Sequence, residues 1–137
     1  YRACWSRPNR GGIVVEVVLV VGFGGAVGAI LRWWVGVFMN HLLAPAFVGT
    51  LVVNLVGSFV IGLLLIWFQG RLPISDVLRT GILVGLLGGF TTYSAFSMEA
   101  VNMMMAGLYG RASAYVVVTV VVCLMGTWAG VMLGRSV

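Results

Sequence analysis

Long apolar runs separated by short polar interruptions dominate the chain. Their spacing predicts four membrane-crossing helices over residues 13–38, 46–68, 78–108 and 111–134. A helix rising 1.5 Å per residue needs about 20 apolar residues to cross a hydrocarbon core of about 30 Å. The first, second and fourth runs meet that requirement with some tilt. The third, at roughly 31 residues, would reach about 46 Å as one continuous helix. Its excess length coincides with Gly88-Gly89-Phe90-Thr91-Thr92, so a non-helical break is expected there, dividing the third span into two half-helices. Broken backbone at membrane depth is tolerated where it is buried in protein or lines a cavity. The amides and carbonyls it releases are then available to ions. The expected fold is an all-α membrane protein with one four-helix channel-like domain over residues 13–135. Residues 1–12 are set aside as a tail.

The polar residues inside these runs are not scattered. In the second span Thr50, Asn54, Ser58 and Gly62 recur at intervals of four, which places them on one slowly drifting helix face. Tyr115, Thr119, Cys123 and Thr127 do the same in the fourth. Small and hydroxylated residues on a membrane helix serve either close packing or a polar path, and spacing alone leaves both open. Asn54 is harder to assign to packing, because an amide at that depth must find hydrogen-bond partners. Gly24 and Gly28, and Gly126, Gly130 and Gly134, have the small-xxx-small spacing of close helix contacts.

Composition then narrows the class. With 61% hydrophobic and 8% charged residues, and a mean hydropathy of +1.13, a membrane protein is implied and a soluble domain is not. The net charge of +5 is carried mostly by arginines in tails and connectors. It is therefore read as membrane orientation and headgroup contact rather than a nucleic-acid footprint. Cys4 in the tail and Cys123 deep in an apolar run suggest neither a disulfide nor a metal site, and no cleaved leader is expected from so long a first run. No nucleophile–base pair or metal-ligand cluster points to an enzyme.

The candidate chemistry lies in Gly88-Gly89-Phe90-Thr91-Thr92-Tyr93-Ser94-Ala95-Phe96-Ser97-Met98-Glu99, where hydroxyls, a phenol and a carboxylate interrupt an apolar helix. Such groups are costly in a bilayer unless they face protein or water, so a site handling a small ion is expected. Glu99 and Glu16 are the carboxylates within spans; Glu16 lies close enough to a helix end to reach water. Arg32, beside the belt-like Trp33 and Trp34, either snorkels to the interface or lines an anion vestibule.

The third-span string resembles the signature of the Fluc (CrcB) fluoride channel family. Gly28 to Arg32 and Asn54 to Ser58 look like that family's first- and second-helix motifs, so the resemblance covers all four spans. It implies an antiparallel, dual-topology dimer with two fluoride pores, in the cell membrane, and a structural Na⁺ at the dimer centre held by the carbonyls of Gly88 and Thr91. By position it implies a pore lined by Asn54, Thr92, Tyr93, Ser94, Phe96, Glu99, Tyr115 and Thr119, with Arg32 near a vestibule. Tyr93 stands where the family usually has phenylalanine, and Ala95 where it commonly has a hydroxyl residue. An aromatic edge is positive and can approach an anion; tyrosine keeps that edge and adds a hydroxyl, which either crowds the path or binds the ion. Fluoride is small and strongly hydrated, so its pore must offer donors that replace water without trapping the ion. An anionic Glu99 would repel it. Glu99 is therefore expected to be hydrogen-bonded to neighbouring hydroxyls, protonated, or turned off the conduction line.

Arg2, Arg7, Arg10, Arg71, Arg79 and Arg135 fall on one side of a four-span topology, Arg111 on the other, with Arg32 if it snorkels outward. Taken whole, that bias places both termini in the cytoplasm. Without the tail it weakens to three against two, compatible with a homodimer of opposed subunits; a native tail would favour an antiparallel heterodimer. Two other readings stand beside the channel: a proton-coupled exporter of the small multidrug-resistance type using Glu16, and a non-transporting assembly subunit.

Overall fold

The computed structural model describes residues 10–43, 47–70 and 72–137. Cys4, Arg2, Arg7, Arg71 and the predicted first residue of the second span, Ala46, lie outside the described residues. The helices are α1 (Arg10–Leu43), α2 (Phe47–Gly70), α3 (residues 76–90), α4 (Tyr93–Met105) and α5 (Tyr109–Ser136). Among the described residues, four segments are long and apolar enough to cross a membrane, with α3 and α4 together forming the third. The protein is a multi-pass, all-helical membrane protein.

Two boundaries differ instructively from expectation. The third span ends at Met105 rather than at 108. There Gly107 adopts φ 75°, its N–H bonds the Met104 carbonyl at 2.9 Å, and Leu108 N–H bonds the Met103 carbonyl at 2.9 Å. This paired closure satisfies end carbonyls and uses a left-handed residue that glycine adopts without a Cβ clash. The other difference is α1, which runs unbroken for 34 residues. At 1.5 Å per residue it is about 51 Å long, longer than the third span. Excess length therefore does not break a helix in this chain; the polar, hydroxyl-rich sequence at 91–92 does.

Helix α2 packs along α5, and α1 along α3. Glycines make both seams close. A Cβ at Gly130 would collide with the Phe59 carbonyl oxygen, one at Gly62 with the Thr127 carbonyl oxygen, and one at Gly28 with the Leu86 carbonyl oxygen. The Gly24/Gly28 and Gly126/Gly130/Gly134 spacings thus serve helix contact. Gly89 belongs with them: a Cβ there would lie 2.5 Å from the Gly25 carbonyl oxygen, while Gly88–Phe90 stays helical. Residues Gly81–Leu87 of α3 form a π-helical stretch where α3 meets α1, a feature with no signal in the hydrophobic pattern.

The interior is thin. Phe96, Ala100 and Tyr115 form the buried cluster, with Phe47, Leu51, Met103 and Val116 packed on it. Most large apolar side chains of α1 and α5 are exposed, as a bilayer or a second subunit requires. Met104 and Met105 are exposed and Met103 packs inward.

Candidate functional site

The break is two residues wide. Thr91 (φ −79°, ψ 158°) and Thr92 (φ −149°, ψ 123°) are extended between two helical segments. Thr91 Oγ1 caps backward by donating to the Leu87 carbonyl at 3.0 Å, and Thr92 Oγ1 caps forward by accepting from Ala95 N–H at 3.2 Å. These hydroxyls close the cut helix ends locally, the usual service of threonine at a helix start. Asn54 of α2 supplies the rest. Its Oδ1 accepts Thr92 N–H at 2.7 Å, and its Nδ2 donates to the Thr92 carbonyl at 2.9 Å. One side-chain amide therefore pairs both backbone groups of one residue. In a continuous helix Thr92 N–H would bond the Gly88 carbonyl; drawn to Asn54, it leaves that oxygen without its helical partner.

A second polar tie lies about two helical turns further along α4. Glu99 Oε1 accepts from Thr50 Oγ1 at 2.8 Å, and Oε2 accepts from Tyr115 OH at 2.7 Å. The carboxylate links α2, α4 and α5, and both oxygens meet hydroxyl donors. Of the three arrangements expected for Glu99, the hydrogen-bonded one is present. Beside it runs a line of rings: Tyr93 to Phe96 at 5.5 Å between centroids, Phe96 to Tyr115 at 5.3 Å, and Tyr115 to Phe47 at 5.3 Å. All three pairs are tilted, a favourable aromatic geometry that presents ring edges as well as faces.

Two hollows flank the break. A cleft of about 350 Å³ is lined by Asn54, Ser58, Gly88, Thr91, Thr92, Tyr93, Phe96, Thr119 and Cys123 among others. Tyr93 stands at its rim, 78% exposed, whereas Phe96 is buried at 6%. Thr119 is buried, and its Oγ1 makes no hydrogen bond among the described residues. An unpartnered hydroxyl in an apolar wall is costly. Ser94 joins the group through a 3.2 Å hydrogen bond with Thr92 Oγ1. A second hollow of about 440 Å³ holds Arg32, Trp33, Asn40, Thr50 and Glu99, with Thr92 also in its wall. Arg32 lines this hollow.

The structure brings together Asn54, Thr92, Ser94, Phe96, Glu99, Tyr115 and Thr119, places Tyr93 at the rim, and sets Arg32 across the break. Gly88 and Thr91 share the cleft, and no group of three His, Cys, Asp or Glu side chains clusters among the described residues. Glu16 is exposed on α1, away from both hollows. Sequence reasoning missed Phe47, which ends the ring line, and Asn40 in the second hollow. Phe47 reads as an ordinary apolar residue at a helix start; Asn40 follows Arg32 and Gly36 at intervals of four, a weak signal that was present.

Comparison with known proteins agrees with this geometry. Residues 19–131 match the family described as CrcB-like protein, Camphor Resistance (CrcB). A protein of Agrobacterium fabrum named fluoride-specific ion channel FluC is 42% identical over 120 residues, 87% of this chain and 96% of that protein. Proteins of the same name from Rhizobium meliloti and Coxiella burnetii are each 40% identical, covering 87% of this chain and 96% and 98% of theirs. The match spans the four membrane helices, the break and the residues that pair across it, and the chain belongs to the CrcB family.

Proposed function

We propose that this protein is a fluoride channel that lets the anion leave the cytoplasm down its electrochemical gradient and so relieves fluoride toxicity. The observation that carries the reading is the cleft at the break, whose polar lining is neutral: Ser58, Thr91, Thr92 and Thr119, with the tilted rings of Tyr93 and Phe96, while Asn54 is turned to the Thr92 backbone. Neutral donors replace hydration without holding an anion as tightly as a fixed cation would. Glu99, the one carboxylate in the polar string, has both oxygens occupied by hydroxyls, which lowers its repulsion toward a passing anion. Arg32 in the neighbouring hollow gives an anion an attractive approach. A membrane potential of 100 mV contributes about 2.3 kcal/mol per charge to outward movement. The names of the relatives from A. fabrum, R. meliloti and C. burnetii support the same ion.

The pore in this reading is completed by a second copy in antiparallel orientation, in the cell membrane and in contact with its lipids, with an oppositely oriented paralogue as the alternative partner. The exposed apolar faces of α4 and α5, including Met98, Val117, Val121 and Leu124, give such a partner room. A structural Na⁺ at the centre suits the break, because the Gly88 carbonyl has lost its helical partner and hard oxygen atoms suit a hard cation. When bound it would supply positive charge at the meeting of the two breaks, with the carbonyls of Gly88 and Thr91 as its donors.

The test is fluoride efflux from liposomes holding the purified protein, with chloride as control and a potassium ionophore setting the voltage. Fast, fluoride-selective efflux without a proton gradient is expected. Efflux that needs a proton gradient, or equal passage of chloride, overturns the reading.

A further inference from the structure

The strongest unexplained geometry is the double bond from Asn54 to Thr92. A side chain that merely lined a path would face it with its donors. Asn54 instead turns both its oxygen and its nitrogen to the backbone of one residue 38 positions away. Nothing else among the described residues pairs the Thr92 N–H. Without Asn54, that N–H has one obvious alternative, the Gly88 carbonyl one helical turn back. Bonding it would extend α3 through the break, occupy the Gly88 oxygen, and rotate Tyr93 and Phe96 about the helix axis.

We propose that Asn54 is a positioning residue: it holds the helix break open by pairing both backbone groups of Thr92, and it acts on conduction through the Gly88 and Thr91 carbonyls rather than by serving as the ion's main ligand. The inference rests on the channel reading and on its central cation. It makes Asn54 a stand-in for a missing strand of backbone, since a carboxamide carries the same donor and acceptor as a peptide group. It also explains why an asparagine is used. Valine offers neither group, serine and threonine offer donor and acceptor only at a single oxygen, and aspartate keeps the acceptor but loses the donor.

The experiment uses the full chain in liposomes, comparing the protein with Asn54→Ala and Asn54→Asp. Fluoride efflux is measured while NaCl is titrated against N-methylglucamine chloride, and separately while fluoride is titrated. Amide hydrogen exchange is followed over residues 88–96. The expected result for Asn54→Ala is a sodium requirement raised by about tenfold, with the fluoride concentration for half-maximal efflux moved by less than about twofold, and faster or redistributed exchange confined to the break, as the loss of two part-buried hydrogen bonds predicts. Asn54→Asp should fall between the protein and Asn54→Ala in sodium requirement. A weakened fluoride dependence with unchanged sodium requirement would overturn the proposal and make Asn54 a direct ligand. If the unaltered protein shows no sodium dependence, the central cation fails as a reading, and exchange over 88–96 still decides the clamp: altered in Asn54→Ala upholds it, unchanged rejects it. The same exchange measurement decides the matter if Asn54→Ala conducts at no sodium concentration.

Discussion

The α2–α5 seam and the break between α3 and α4 border the same cleft, yet they solve opposite problems. Along the seam each helix satisfies its own backbone, so the contact needs only closeness, and Gly62, Gly126 and Gly130 supply it by removing side chains. At the break the backbone is not self-satisfied, and side chains must be added: Thr91, Thr92 and Asn54 give the oxygens and nitrogens that the helix lost. Lipid offers no hydrogen bonds, which makes the second arrangement the costlier one. It persists here because it creates a polar lining that a continuous helix cannot.

The comparison is broken most severely at the seam. Gly130→Val would drive a side chain into the Phe59 carbonyl. A cost of about 3 kcal/mol is expected, at the upper end for overpacking, seen as loss of folded protein on size-exclusion chromatography. Gly22→Ala, where a Cβ meets nothing within 4 Å, is the matched control and should leave the elution profile unchanged. Next in size is Asn54→Ala, which removes both side-chain bonds to the Thr92 backbone; about 2 kcal/mol of stability should be lost, read as a lower thermal midpoint in detergent.

Smaller effects sharpen the contrast. Glu99→Gln keeps the shape but removes one oxygen that accepts from Thr50 or Tyr115. It should cost about 1.5 kcal/mol, the low end for a hydrogen bond to a charged group, and slow fluoride efflux with the helices still assembled. Thr119→Val removes a hydroxyl that pairs with nothing among the described residues. Stability should rise by up to about 1 kcal/mol while efflux falls; a fall in both would mean the hydroxyl is structural. Smallest is Glu16→Gln. Glu16 is exposed and lines neither hollow, so fluoride efflux should change by less than about twofold, within the range of ordinary surface substitutions. A proton-coupled exporter would instead lose transport.

How much was legible follows from the kind of signal each residue leaves. The intervals of four placed Thr50, Asn54 and Ser58 on one face, and Tyr115 and Thr119 on another; the hydrogen bonds and the cleft involve those faces. The break lies within the predicted Gly-Gly-Phe-Thr-Thr run, although the length argument for it does not survive the unbroken α1. Gly89 fell inside the expected break but is helical and in contact with Gly25, because sequence does not distinguish a glycine that bends from one that makes room. The π-helical turn of Gly81–Leu87 left no mark in the apolar pattern.

Sequence by itself determined the membrane class, the four spans, the place of the break and which side chains share a helix face, since these depend on local composition and on the period of one helix. Tertiary structure alone decided that Asn54 meets Thr92, that Glu99 receives Thr50 and Tyr115, and that Phe47 completes the ring line. Those pairings depend on the depth and rotation of one helix against another. That phase is set by glycine contacts such as Gly28 on Leu86 and Gly130 on Phe59, and no periodicity within a single helix records it.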